Sequence, residues 1–294
     1  MHSELKVFPD VTANLGEGPI WHPGEQVFYW VDITGEKLHR LDLISGTDEA
    51  FDMGSMIGAA VPVEVGGVVV ALETGIYRFT VAKQLVKLAG YPAEAAPNTR
   101  FNDGKCDSSG RIWIGTMHKN ARSRQGKLYR MDRNRLIPVL EDITISNGMA
   151  WSPDNRTMYY IDTPDQVVYA FDYDNASGDL SGKRVAITIP LSMGSPDGMT
   201  IDSTGKLWIA LWGGGAVVCF DPQSGQQLEK FEVMAHHVTS CAFGGPAMNT
   251  LVITTAREGL SEEQLAQYPL SGKVFYINTY CKGIQPNYYN SIST

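Results

Sequence analysis

The chain has 294 residues, of which 43% are hydrophobic, 10% aromatic and 19% charged. This composition is typical of a folded protein with a large core, and it excludes global disorder. The formal net charge of -8 comes without any run of basic residues. A nucleic-acid partner or an anionic membrane surface is therefore excluded as the expected partner.

Targeting and cysteine patterns point to the cytoplasm. No apolar run approaches the roughly 20 residues that a membrane-spanning helix needs, and residues 1–6 lack the apolar centre of a signal peptide. We therefore expect a cytoplasmic protein with no membrane partner and no obligate protein partner. The cysteines show no Cys-x-x-Cys spacing, so we expect reduced, packed thiols rather than a zinc site or a disulfide framework. These cysteines are Cys106, Cys219, Cys241 and Cys281.

Short runs rich in Val, Ile, Tyr, Phe and Trp, bounded by turn residues, predict β-strands along most of the chain. In chain order, such runs occupy 27–31, 68–72, 111–114, 158–161, 206–210 and 251–253. A second strand follows each of them, at 37–42, 75–79, 126–132, 167–172, 216–221 and 272–277. A helix is predicted only over 261–267, where Ser261 is an N-cap residue ahead of acidic first-turn residues.

A short motif, usually a polar residue followed by glycine, precedes each pair of strands, and we call it the marker. Successive markers are about 45 residues apart, which is the length of a four-stranded propeller blade. The markers are Glu17-Gly18, Ile57-Gly58, Asp103-Gly104, Asn147-Gly148, Asp197-Gly198 and the looser Cys241-Ala242. We predict an all-β, six-bladed β-propeller, a single domain over 1–294 with a central metal-binding channel. Residues 5–8 would form the strand that closes the last blade. A β-sandwich has the same strand density, but the near-periodic units argue against it.

Equivalent blade positions are related by rotation about the channel, so Glu17, Asp103, Asn147 and Asp197 are expected to converge on one volume. Converging oxygens repel one another unless a cation or hydrogen-bond donors compensate them. We therefore predict that Glu17, Asn147 and Asp197 bind one divalent metal ion. An all-oxygen set suits hard cations, with Ca²⁺ as the first candidate and Zn²⁺, Mn²⁺, Mg²⁺ or Fe²⁺ as alternatives. The competing interpretation is that these residues only cap turns.

Other motifs are weak or absent. The sequence holds no G-x-S-x-G, no phosphate-binding loop and no H-E-x-x-H. The residues Gly213, Gly214 and Gly215 are interpreted as a blade turn. His236 and His237 are adjacent, so on a strand they would face opposite sides and could not serve one site. Most tryptophans occupy repeated positions typical of blade core, whereas Trp212 does not.

Six segments together resemble the senescence marker protein (regucalcin), gluconolactonase and luciferin-regenerating-enzyme family. They keep a consistent order and spacing from about residue 15 to about residue 277. The segments are 15–19, 100–105, 115–117, 145–152, 196–199 and 242–246.

The resemblance implies a six-bladed propeller with one divalent metal ion, acting on sugar lactones. The metal-binding residues of the family fall on Glu17, Asn147 and Asp197, and its substrate-contacting residues fall on Arg100 and Asn102. One position departs from the pattern. The regucalcin-like members carry a glutamate shortly after Gly-Thr-Met, and here that position is Asn120, with His118 nearby. We expect Asn120 and His118 to contact substrate, with a hydrogen-bonded structural role as the alternative for His118. The departure at Asn120 makes a pentono- or hexonolactone at least as good a candidate substrate as gluconolactone.

The expected reaction is metal-dependent hydrolysis of a sugar (aldono-) lactone to its aldonic acid. Asp197 would act as general base, and Arg100 and Asn102 would hold sugar hydroxyls. Two alternatives stay open at this point: a non-enzymatic calcium-binding or regulatory propeller, and a lactonase or esterase of broader specificity. No role can be assigned from the sequence to the tail over 279–294.

Overall fold

Six four-stranded blades stand in a ring in this computed structural model, which describes residues 4–290. In the first three blades each strand pairs antiparallel with the next strand in the chain. Blade 1 contains β2 (Gly16–His22), β3 (Val27–Asp32), β4 (Lys37–Leu41) and β5 (Asp48–Asp52). Blade 2 contains β6 (Ile57–Pro62), β7 (Val68–Leu72), β8 (Gly75–Phe79) and β9 (Leu85–Gly90). Blade 3 contains β10 (Thr99–Cys106), β11 (Ile112–His118), β12 (Gly126–Asp132) and β13 (Arg135–Ile143).

Of the last three blades, blade 6 combines a strand from the N-terminal part of the chain with strands from the C-terminal part. Blade 4 contains β14 (Ser146–Trp151), β15 (Thr157–Asp162), β16 (Val167–Asp174) and β17 (Asp179–Thr188). Blade 5 contains β18 (Ser195–Ile201), β19 (Leu207–Trp212), β20 (Ala216–Phe220) and β21 (Gln227–Glu232). Blade 6 contains β22 (His237–Gly244), β23 (Thr250–Ala256), β24 (Val274–Asn278) and, at its edge beside β24, β1 (Lys6–Phe8).

The ring confirms the predicted all-β, six-bladed propeller. The first strands of neighbouring blades contact one another in a closed cycle, β2, β6, β10, β14, β18, β22 and back to β2, so these strands surround the channel. Marker glycines allow this close approach. A Cβ atom on Gly148 would lie 2.7 Å from the Asp197 carbonyl oxygen, and one on Gly58 would lie 2.6 Å from the Phe101 carbonyl carbon. Real Cβ atoms are essentially never that close to backbone, so glycine is required there.

Helix is nearly absent from residues 4–290. The single α-helix of this described part, α1 (Glu262–Gln267), begins at a capping box in which the Ser261 hydroxyl accepts a hydrogen bond from the Gln264 backbone amide. This confirms the helix expected over 261–267. Two short 3-10 helices span Thr163–Asp165 and Leu191–Met193. Within residues 4–290 no helix is long and apolar enough to cross a bilayer.

Buried tryptophans anchor the second strands of alternate blades. Trp113 and Trp208 are fully buried, and their indole nitrogens donate to Asp107 and Asp202 at 2.8 and 3.0 Å. Each of these aspartates also accepts backbone hydrogen bonds from its own turn, between the first and second strands of the blade. A buried indole N–H needs an acceptor, and the turn supplies it.

The C-terminal segment crosses the ring on the face where the first strands end. Its backbone pairs with Met248 and Ser203, and then with Gly110 and Pro62, so it runs from blades 6 and 5 to blades 3 and 2. The Tyr288 hydroxyl accepts a hydrogen bond from the Gly24 amide in blade 1. Residues 279–290 therefore cover the channel mouth on this face and connect distant blades, a role that the sequence did not indicate. Residues 291–294 lie outside the described part.

Candidate active site

A cavity of about 440 Å³ opens at the other end of the channel, where the first strands begin. Blades 1, 3, 4, 5 and 6 supply its polar lining, and apolar side chains complete the wall. The polar residues are Glu17, Arg100, Asn102, Lys119, Asn120, Asn147, Thr163, Ser195, Asp197 and Glu258, and the larger apolar ones are Leu15, Met117, Ile145, Pro164 and Trp212. The predicted metal set Glu17, Asn147 and Asp197 thus shares one cavity with Arg100, Asn102 and Asn120.

A break in strand register accompanies five of the six markers, whereas in blade 6 the break lies between Val238 and Ser240, ahead of Cys241-Ala242. The break falls between Glu17 and Ile20 in β2, between Asn147 and Met149 in β14, and between Pro196 and Met199 in β18. The first strands of the other blades carry the same irregularity. Irregularities of the β-bulge kind change the direction of side chains and are common beside active sites. Here they interrupt the regular alternation of side-chain direction along each first strand, at the point where the strand lines the channel.

A chain of hydrogen bonds connects the polar residues across three blades. Nη1 of Arg100 donates to Oδ1 of Asn102 at 2.7 Å, and Nδ2 of Asn102 donates to Oδ1 of Asn147 at 3.0 Å. Nδ2 of Asn147 donates to the Thr163 hydroxyl at 2.8 Å, and that hydroxyl donates to the Pro196 carbonyl oxygen. Each amide is therefore held in one orientation, with the Oδ1 atom of Asn147 on the side of Asn102.

Two of the three carboxylates of the cavity, Glu17 and Asp197, are buried together, and both resist ionisation. Burial, and then the nearby charge of Asp103, raises the pKa of Glu17 to about 8. Burial, followed by the charges of Glu17 and Asp103, raises the pKa of Asp197 well above its ordinary value. Arg100 opposes both shifts, but it does not cancel them. The cavity therefore holds paired oxygens whose negative charges need a further cation.

The donor chemistry fits one divalent ion. Glu17 and Asp197 supply carboxylate oxygens, and Asn147 supplies an amide oxygen with a second lone pair beyond the bond from Asn102. Oxygen-only sets of this kind suit hard cations. Among residues 4–290, no three His, Cys, Asp or Glu side chains form a group able to hold a metal ion. An ion in this cavity would therefore need the Asn147 amide as well as the two carboxylates.

Asp103 does not line the cavity, although the repeat pattern placed it with Glu17, Asn147 and Asp197. The register of blade 3 explains the difference. Phe101 pairs with Thr116 and Gly104 with Ile114, so Asn102 and Asp103 together occupy the break, and Asn102 is the residue that reaches the cavity. Asp103 lies deeper, where its Oδ2 atom is buried without a hydrogen-bond partner in the described part of the chain. The charge of Lys105 lowers its pKa, while burial, the larger effect, raises it.

His118 lies behind the cavity wall rather than in it. Its side chain is buried at the end of β11, and its Nδ1 atom accepts a hydrogen bond from the Asn120 backbone amide at 3.0 Å. The turn that His118 holds carries Lys119 and Asn120 into the cavity lining. The structure therefore places Asn120 at the site and His118 as a support for it.

Several cavity residues were not singled out as site residues from the sequence, and three of them bear on the chemistry of the cavity. Trp212 was noted only because it broke the pattern of core tryptophans. Lys119 forms an ion pair with Glu73. It is the sequence neighbour of Asn120, so the sequence analysis had already pointed to this turn. Glu258 lies beyond β23 and accepts a hydrogen bond from the Thr34 hydroxyl at 2.8 Å. No sequence signal marks Glu258, because it follows none of the repeated motifs.

Comparison with known proteins places the chain in a family. Residues 15–257 match the family model described as SMP-30/Gluconolactonase/LRE-like region. This chain belongs to that family. The match covers the cavity residues from Glu17 to Trp212, and it confirms the resemblance drawn from the sequence motifs.

Individual relatives span nearly the whole chain. Regucalcin of Danio rerio is 37% identical over 281 residues, covering 94% of each chain. The 6-deoxy-6-sulfogluconolactonase of Pseudomonas putida is 37% identical over 276 residues, again covering 94% of each chain. The crystal structure of a calcium-binding protein, regucalcin, from Agrobacterium tumefaciens superimposes with a TM-score of 0.93 at 30% identity, covering 98% of this chain and 97% of the other.

Proposed function

We propose that this protein hydrolyses a sugar lactone of the aldonolactone class to the open-chain aldonic acid with the help of one divalent metal ion. The observation that supports the proposal most strongly is the convergence of Glu17, Asn147 and Asp197 on one cavity with Arg100 and Asn102. The names of relatives agree with it, since one that is 37% identical is called a sulfogluconolactonase.

Glu17, Asn147 and Asp197 would hold the ion through oxygen. Bound there, a divalent ion supplies Lewis acidity and offsets the charge of the two buried carboxylates. The hydrogen bonds of Asn147 to Asn102 and Thr163 keep its amide oxygen in place before any ion arrives. A preformed ligand set of this kind reduces the ordering that binding would otherwise require.

Asp197 is the proposed general base. Its carboxylate accepts a proton from the water molecule whose oxygen attacks the lactone carbonyl carbon. The bond between that carbon and the ring oxygen then breaks, and the proton passes to the ring oxygen, which leaves as the hydroxyl group of the aldonic acid. A well-placed base contributes typically about 10²–10⁴-fold to the rate.

Arg100, Asn102 and Asn120 are proposed to bind the sugar. Nη1 of Arg100 is used by the Phe101 carbonyl oxygen and by Asn102. Its remaining guanidinium donors have no protein acceptor among the described residues, so they are available to substrate oxygens. The pKa of Arg100 is lowered by burial, and Glu258, Glu17 and Asp197 counteract that effect. The side chain remains a cation that can stabilise negative charge on the substrate.

Acid release from a panel of aldonolactones tests the proposal. The panel contains glucono-, galactono-, xylono- and arabinono-lactone together with 6-deoxy-6-sulfogluconolactone. Metal-stripped protein is assayed alone and with each of Ca²⁺, Zn²⁺, Mn²⁺, Mg²⁺ and Fe²⁺, and Asp197→Ala serves as the inactive control. Turnover restored by a divalent ion and lost in the variant supports the proposal.

Two other outcomes contradict it. Stoichiometric metal binding without turnover above the spontaneous rate favours a calcium-binding propeller that is not an enzyme. Faster hydrolysis of simple aliphatic lactones or aryl esters than of any sugar lactone favours an esterase of broader specificity. Isothermal titration calorimetry of the same metal-stripped protein separates the first outcome from a failure to bind any ion.

A further inference from the structure

Trp212 differs from every other tryptophan of the chain. The sequence contains 6 tryptophans. Five of them, Trp21, Trp30, Trp113, Trp151 and Trp208, are buried with exposures between 0% and 7%. Trp212 is half-buried and lines the cavity. The indole therefore packs partly against the apolar core and leaves part of its surface at the cavity wall.

The indole of Trp212 is supported from behind by His237. The two rings lie nearly parallel, with centroids 3.9 Å apart and an interplanar angle of 12°. The stack continues, because the ring of His236 lies 4.7 Å from that of His237 and stacks on Tyr268 at 5.1 Å. His237 is buried, and its Nδ1 atom has no hydrogen-bond partner among the described residues. Its contribution is therefore a flat packing surface rather than a hydrogen bond.

The position of Trp212 places this surface beside the proposed reaction centre. Trp212 ends β19 and pairs directly with Ser195, which lies two residues before Asp197 on β18. Ser195, Asp197 and Trp212 line the same cavity. The turn that follows is tightly packed at Gly214, where a Cβ atom would lie 2.1 Å from the Met193 carbonyl oxygen. The backbone just beyond β19 is therefore confined at that residue.

We propose that Trp212 is a specificity-determining residue that stacks on the C–H face of a cyclic lactone, and that His237 is the positioning residue that holds the indole in place. This inference rests on the proposed lactonase function. A sugar lactone has polar edges and patches of C–H groups, so its binding site needs both hydrogen-bonding groups and a flat apolar surface. Arg100, Asn102 and Asn120 provide the former, and Trp212 provides the latter. Open-chain esters lack such a ring face and gain little from the indole.

Steady-state kinetics on the metal-loaded protein is the first test. We expect Trp212→Ala to raise KM for the preferred aldonolactone about 3- to 10-fold with little change in kcat, and Trp212→Phe to raise it less. His237→Gln should raise KM in the same direction. His237→Phe keeps a flat ring behind the indole, and it should restore the wild-type KM. KM for an open-chain ester should change in none of these variants.

Tryptophan fluorescence is the second test, and it does not depend on turnover. Trp212 is the only tryptophan of the chain that is not buried, so acrylamide should quench mainly its emission. An aldonolactam keeps the ring and carbonyl of the substrate but resists hydrolysis, and its binding should protect Trp212 from acrylamide. Trp212→Phe should lose both the quenching and the protection. The wild-type measurement decides the matter even if Trp212→Ala does not fold.

Failure of this inference differs from failure of the proposed function. If the wild type hydrolyses aldonolactones, but Trp212→Phe and Trp212→Ala retain its KM and the lactam leaves acrylamide quenching unchanged, the stacking role is wrong and the lactonase function stands. If the wild type neither hydrolyses an aldonolactone nor binds the lactam, the proposed function fails and this inference fails with it. An equal rise of KM for the open-chain ester would also overturn the ring-stacking role.

Discussion

The two mouths of the channel are lined by the same strands, β2, β10, β14 and β18, yet they differ in chemistry. At the starts of these strands, Glu17, Asn102, Asn147 and Asp197 present oxygen and nitrogen atoms to an open cavity of about 440 Å³. Toward their ends, mainly apolar side chains surround a smaller cavity of about 160 Å³, which the C-terminal segment covers.

The difference shows how one strand can serve two purposes. The register break in each first strand divides it into a segment that faces the open cavity and a segment that packs regularly. In β14, for example, Asn147 precedes the break and reaches the cavity, while Met149 and Trp151 follow it and are buried. Stability therefore comes largely from one half of the channel, and the chemistry is concentrated in the other.

The largest expected effect is at the open mouth. Asp197→Asn keeps the shape of the side chain but removes the proposed base, so kcat for aldonolactone hydrolysis should fall about 10²–10⁴-fold. Because the carboxylate is buried and its pKa is raised, its removal should not lower the melting temperature of the metal-free protein. A variant that melts like the wild type and keeps full turnover would contradict the role of Asp197.

Between the two mouths, Lys105→Met should reduce stability. The Lys105 ammonium donates to the Met199 carbonyl oxygen, and its charge favours the ionised form of buried Asp103. Removing the ammonium leaves the Met199 carbonyl oxygen without this donor and Asp103 without the charge that compensates it, which should lower the free energy of unfolding, measured by urea denaturation, by about 1–3 kcal/mol. The double variant Lys105→Met, Asp103→Asn should recover part of that loss. Asp103→Asn alone completes the cycle, and additive effects of the two single changes would show that the two charges do not interact.

The free energy of unfolding should depend on pH through His237, which supports the wall of the open mouth. Burial, and then the charge of His236, lowers the pKa of His237 to about 4. Because its pKa is lower in the folded chain than in the unfolded chain, its contribution to stability is present above about pH 6.5 and is lost as the pH falls toward 4. Between these values the wild type should lose roughly 1–3 kcal/mol more than His237→Gln. Parallel pH profiles from urea denaturation would contradict this assignment.

The smallest effect is expected at the covered mouth. Tyr288→Phe removes the acceptor of the Gly24 amide, and it should lower the free energy of unfolding by about 1 kcal/mol. Activity should stay within about twofold of the wild type, because Tyr288 lies on the face opposite the cavity. A change in KM or kcat as large as that of the Trp212 variants would show that the two mouths are coupled.

The repeat pattern predicted the ring and three residues of the open mouth, and the family resemblance added Arg100, Asn102 and Asn120. Strand runs and marker glycines are local features, so the positions of Glu17, Asn147 and Asp197 followed from their spacing. The choice between Asn102 and Asp103 did not, because it depends on a register break that is visible only when β10 is paired with β11. The placement of Asp197, Glu17 and Asn147 on a metal ion stays a prediction, as does the role of Asp197 as base.

Contacts between distant parts of the chain explain what the sequence did not show. Trp212 stands out only when its stacking on His237 and its exposure to the cavity are known. His118 was expected at the substrate because it follows the Gly-Thr-Met motif, but a hydrogen bond to the turn places it behind Asn120. The C-terminal segment has no repeat, and its path depends on backbone pairing with several blades.

The course of the C-terminal segment has a practical consequence for handling the protein. Its last described residue, Asn290, is fixed to Gly110 on the face opposite the cavity. A bead, an electrode or a fluorescent protein joined through a linker at that end would lie away from the open mouth. The protein could thus be immobilised in a uniform orientation, with every cavity facing the solution and open to diffusing lactone.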